Sequence, residues 1–161
     1  MLHPIKNDSV QSTTPPLAKF EVMGASQEHF KEYPQYFTVY IFEDRNAAVP
    51  FLTTRGQAKN LSEGGITIKK KLNTGNEICE VVFFADTFNI IGVIHELLHV
   101  ALQFERVVYS NPTCAITHSY DGGNEERVVY MHSLMVGRCL TKMKNFADSG
   151  NIGFPRMPWG V

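Results

Sequence analysis

The chain has 161 residues, 43% of them hydrophobic and 19% charged, which suits one domain with its own core and is too short for two. A formal net charge of -1 and a pI near 6.6 leave no basic stripe for tracking phosphates and argue against a nucleic-acid partner. No apolar run approaches a membrane span, and Met1 to Asp8 lack the apolar stretch of a secretory signal, so a cytoplasmic location is expected.

Cys79, Cys114 and Cys139 form no Cys-x-x-Cys pair, which excludes a thiolate zinc knuckle or a thioredoxin-like motif. They are expected to be free thiols in a reducing compartment.

Residues 1–17, rich in Ser, Thr, Asn and Pro, are predicted to be a flexible arm. The domain is placed at 18–148. Ser26 could cap a short helix that Pro34 stops. Phe37 to Phe42 is β-branched and aromatic and predicts a strand. Residues 47–64, with Pro50, Gly56 and Gly64, read as helix or loop. Residues 66–72 and 77–85 read as two strands of a hairpin, joined by the turn residues Asn73-Thr74-Gly75-Asn76. Lys69, Lys70 and Lys71 read as a solvated strand edge.

Asp86-Thr87 offers an N-cap for a helix over 87–105. Residues 106–123 hold Asn111-Pro112 and Asp121-Gly122-Gly123 and predict a loop. Val128, Met131, Leu134 and Met135 recur at helical steps and predict a second helix over 124–145. The tail from 149 to 161 carries three Gly and two Pro and is expected to be irregular, with Phe154 and Trp159 available to dock on the domain.

The first helix contains His95-Glu96-Leu97-Leu98-His99. Residues i and i+4 lie one turn apart on one face, so both imidazoles can reach the same ion. Glu96 lies about 100° round the helix from His95, too far to be an equal ligand. It can still hydrogen-bond a water on the metal and take its proton. Three ionisable groups in an apolar run are costly without a partner such as a metal. Zinc suits imidazole ligands and needs no redox role.

This helix, with the strand before it and the helix after it, resembles the zincin superfamily of metallopeptidases over roughly residues 78–145. The resemblance implies an α+β fold: a small antiparallel or mixed sheet, an active-site helix, and a following helix that bears a glutamate. It implies His95 and His99 as zinc ligands and Glu96 as catalytic base. The longer metzincin pattern fails, because Leu102 and Glu105 stand where a glycine and a third histidine belong.

A gluzincin arrangement draws its third ligand from the next helix. Glu126-Arg127-Val128-Val129-Tyr130 is similar to the Glu-x-x-Ala-Tyr helices of small phage-type zincins, which makes Glu126 the preferred ligand and Tyr130 its orienting neighbour. Asn124-Glu125 is similar to the Asn-Glu pair of several gluzincins and keeps Glu125 as an alternative. His118, in Thr117-His118-Ser119-Tyr120-Asp121, would resemble the ligand of SprT-like proteases that act near DNA, although their His-Gly-x-x-aromatic context is missing. His118 and Tyr120 are also candidate oxyanion donors. His132 reads as a packing or surface residue, and His3 and His29 have no metal-spaced partner.

The resemblance further implies that a strand near the motif helix, taken as residues 81–85, pairs with an extended peptide. The expected function is zinc-assisted hydrolysis of a peptide bond in a peptide or protein substrate. The alternatives are a non-catalytic zinc-binding interaction module and a SprT-like DNA-associated protease.

Overall fold

A computed structural model describes residues 13–24, 35–57, 64–70, 75–109, 111, 113, 115–118 and 122–149. Most of the predicted arm and tail, the short helix after Ser26, and Tyr120 lie outside the described residues. Described here are four strands, β1 (Ala18–Met23), β2 (Tyr36–Phe42), β3 (Gly65–Lys69) and β4 (Glu77–Phe84), and three helices, α1 (Arg45–Thr53), α2 (Ile90–Val108) and α3 (Glu125–Asp148). The fold is α+β with a mixed sheet in the order β1-β2-β4-β3.

β1 runs antiparallel to β2, from Ala18↔Ile41 to Met23↔Tyr36. β2 and β4 are parallel, with Phe37 opposite Cys79 and Phe42 opposite Phe84. A parallel pair needs a long crossover, and α1 with β3 supplies it. β3 then returns antiparallel to β4, Gly65↔Phe83 to Lys69↔Cys79, as the hairpin pattern predicts. β1 was not anticipated. Ala18, Phe20 and Val22 alternate with Lys19 and Glu21, a short strand pattern, and Leu17, placed in the predicted arm, already donates its N–H to Ile41 O at 2.7 Å.

The two central strands are buried on both faces, as their unbroken apolar runs require. On one face Val39, Ile41, Val81 and Phe83 pack against Val93, Leu97 and Phe104 of α2 and Met135 of α3. On the other, Tyr40, Phe42, Ile66 and Phe84 pack against Ala48 and Leu52 of α1. α1 resolves the helix-or-loop alternative over its own span. Asp44 caps it by accepting from Ala47 N at 2.8 Å, and Pro50 is tolerated inside it.

The start of α2 differs from the expectation. Residues Ala85–Thr87 form a single 3-10 turn, and the cap is Asn89, whose Oδ1 accepts from Gly92 N at 2.7 Å. The helix therefore begins at Ile90 and runs three residues further than predicted.

The edge available to a peptide differs too. Residues 81–84 of the predicted peptide-pairing strand are enclosed between β2 and β3, so β4 has no free edge. The strand at the margin beside α2 is β3. Lys70 N–H donates to Ile78 O, so alternation along the ladder turns the backbone polar groups of Gly65, Thr67 and Lys69 outward. Lys69 is exposed there, whereas Lys70 folds back to pair with Glu80 at 3.1 Å.

Candidate metal centre

α2 is wrapped by different neighbours around its circumference. Val93, Leu97, Val100 and Phe104 face the sheet. Gln103 and Glu96 touch β3 on one flank: Gln103 Nε2 donates to Lys70 O at 3.2 Å, and the Thr67 hydroxyl reaches Glu96. Glu105 meets α3 on the other flank. His95 and His99 occupy the outward arc, exposed, with ring centroids 5.0 Å apart.

Glu96 is only 5% exposed although it lies between two exposed histidines. Its Oε2 is held by the Thr67 hydroxyl at 2.5 Å, and Oε1 stands 4.0 Å from His95 Nε2. One carboxylate oxygen is thus fixed to β3 and the other lies on the side of His95. Gly65 makes this approach possible: a Cβ there would lie 2.9 Å from Glu96 Cγ and 2.9 Å from Phe83 Cδ1. Nothing local in the sequence announces Gly65 or Thr67 as part of the site.

The third-ligand candidates sit around the α2–α3 corner. Glu126 is exposed in the first turn of α3. Glu125 Oε2 lies 3.3 Å from His118 Nδ1, with both side chains substantially exposed. Tyr130 is 65% exposed. His132 does more than the sequence suggests, since its Nε2 is 3.0 Å from the carbonyl of Ile94, the residue before the motif. Among the described residues no group of three His, Cys, Asp or Glu is gathered to hold a metal ion; Glu126, Glu125 and His118 are not brought together with His95 and His99. The pair itself fits zinc in donor type and spacing.

Glu105, at the metzincin histidine position, is an internal anchor. It is 3% exposed and accepts from Arg127 Nε at 2.9 Å, Arg127 Nη2 at 2.5 Å and Asn124 Nδ2 at 2.7 Å. Burial acts to raise its pKa, but the Arg127 and Asn124 hydrogen bonds outweigh burial and hold it below the usual value. Asn124 in turn clamps the loop. Its Oδ1 accepts from Thr117 N at 2.8 Å and its Nδ2 donates to Ala115 O at 2.9 Å. The side chain predicted to be part of an Asn-Glu ligand motif is therefore spent on tying the His118 loop to both helices.

Cys79 and Cys139 are free and buried, with burial pushing each thiol up to about 12; neither is a nucleophile at neutral pH. A groove of about 750 Å³ between β1 and α3, lined by Val22, Met23, Leu134 and Arg138, contains none of the motif residues. No helix among the described residues is long and apolar enough to cross a membrane. No protein-family model matches the chain, and no curated protein or solved structure matches it.

Proposed function

We propose that the chain is a zinc-dependent metallopeptidase of zincin type, with α2 as its active-site helix and α3 as the helix that supplies a third ligand. The observation that carries this reading is the placement of Glu96. A carboxylate buried to 5% exposure is pinned through Oε2 by Thr67, while Oε1 stands 4.0 Å from Nε2 of His95, which is exposed one helical turn from His99. A buried acid so held, beside two metal-type donors, is the arrangement a water-activating base needs.

His95 and His99 would hold the ion, with Glu126 as the preferred third ligand and Glu125 or His118 as alternatives. A zinc ion there supplies Lewis-acid polarisation of a water and of the scissile carbonyl. Glu96 accepts the water proton at Oε1, and the Thr67 hydrogen bond on Oε2 keeps the carboxylate from turning away. The same carboxyl can then deliver that proton to the leaving amine. His118 and Tyr120 are retained as candidate oxyanion donors. The outward-facing groups of Gly65, Thr67 and Lys69 suit an extended substrate backbone laid along β3.

Glu96→Gln tests the reading. It keeps shape but cannot accept a proton, so zinc should stay bound while peptide hydrolysis falls by roughly two to four orders of magnitude. Hydrolysis at the wild-type rate in Glu96→Gln would exclude Glu96 as the base. Zinc binding with no hydrolysis of any peptide by the wild-type chain would favour the non-catalytic module instead.

A further inference from the structure

We infer that the surface between the histidine pair and α3 selects peptides with large aliphatic or aromatic side chains, an inference that rests on the peptidase reading above. Every large hydrophobic residue that is exposed among the described residues lies on α2, on α3 or in the loop joining them. Ile91 is 75% exposed, Ile94 43% and Leu98 40%, and these three recur at helical steps on the outward arc of α2 beside His95 and His99.

Val129 and Tyr130, 55% and 65% exposed, lie on the stretch of α3 between its two ties to α2, Arg127 to Glu105 and His132 to Ile94. Ile91, Ile94 and Leu98 form the part of this apolar surface that lies on the motif helix itself. It flanks the histidines on the side opposite β3.

Its charge decides what it accepts. From Ile90 to Phe104, α2 carries no Lys, Arg or Asp, and its one carboxylate, Glu96, is buried. A charged substrate side chain over this arc of α2 would lose water and gain no counter-ion from α2, whereas an apolar one would remove exposed hydrocarbon from water on both partners. The free edge of β3 lies across the same histidine pair and fixes the form of the occupant. An extended backbone paired to Gly65, Thr67 and Lys69 directs alternate side chains to the α2 face, over the histidines and toward Leu98 and Ile91.

The test uses the full chain with Glu96→Gln and one equivalent of zinc. Fluorescence anisotropy would follow two labelled peptides that differ only in central residues, leucine and phenylalanine in one and serine and asparagine in the other. The apolar peptide should bind about ten-fold tighter, the gain from partly burying one or two such side chains. Adding Ile91→Ser and Leu98→Ser, both at exposed positions, should cut that preference to about two-fold with an unchanged thermal melt.

Equal affinity for the two peptides, or a preference that survives both serine substitutions, overturns the inference. So does a sedimenting dimer that the same substitutions dissociate, since the surface would then be covered by a second copy. Wild-type hydrolysis of both peptides is assayed in parallel. Apolar preference without cleavage sinks the peptidase reading alone, and cleavage without preference sinks this inference alone.

Discussion

Glu105→Ala probes the joint that sets α3 against α2. The carboxylate is 3% exposed and receives two bonds from Arg127 and one from Asn124. Removing it leaves a guanidinium and a buried amide without their acceptor. Breaking a buried pair from one side costs about 3–5 kcal/mol. The Arg127 side chain keeps 39% of its exposure and can turn to water, which lowers the expectation to about 2–3 kcal/mol. Glu105→Gln keeps the shape and one acceptor and should cost about 1–2 kcal/mol.

Urea unfolding followed by circular dichroism reads both, as a midpoint shift on the order of 1 M for the alanine variant. The pH dependence follows from the depressed pKa of Glu105. The unfolded chain binds the proton more readily, so the carboxylate's contribution is complete above the unfolded value, about 4.3, and is lost as the pH falls through the lower folded value. The gap between wild type and Glu105→Gln should be widest near neutrality and should narrow in acid. A Glu105→Ala variant within about 0.5 kcal/mol of wild type at neutral pH would refute the anchoring role.

Three further outcomes are expected. Gly65→Ala forces a methyl against Glu96 and the buried Phe83, and should destabilise the fold by about 1–3 kcal/mol and lower hydrolysis beyond the loss of folded protein. Among the ligand candidates, Glu126→Ala should weaken zinc binding in a chelator titration far more than Glu125→Ala, with His118→Ala nearly unchanged. Dominance of Glu125 would keep the gluzincin class and move the ligand by one residue, and dominance of His118 would favour the SprT-like arrangement. Glu96→Gln should leave the metal in place while hydrolysis collapses, and loss of zinc on that substitution would make Glu96 a ligand or a structural residue.

Much of the sheet was readable because its signals are local. Val39 to Phe42 and Val81 to Phe84 are apolar runs of strand length, and the turn chemistry between β3 and β4 marked a hairpin. β1 was missed although Ala18, Phe20 and Val22 alternate with Lys19 and Glu21, because the run is short and its pairing to β2 is a tertiary contact that no window of sequence contains. The helix cap was misplaced because Asp86, Thr87 and Asn89 all favour cap positions, and only the 3-10 turn shows which one is used.

In the candidate site, the grouping of His95, Glu96 and His99 on one helix was legible from spacing alone. Thr67 and Gly65 could not, since they come from a strand about 30 residues away and matter only because β3 lies against α2. Asn124 was read only as the neighbour of a candidate ligand, Glu125, and Glu105 only as a departure from the metzincin pattern, because the sequence shows their type without their partners. Their bonds to Thr117 and Arg127 give them a structural task.

The metal content of the purified chain tests the central claim most directly. Wild-type protein dialysed against trace zinc and measured by inductively coupled plasma mass spectrometry should hold close to one zinc per chain, and the His95→Ala, His99→Ala double variant, still folded by circular dichroism, should hold none. Full zinc occupancy in the double variant, or a metal-free wild-type protein at micromolar zinc, would contradict the account.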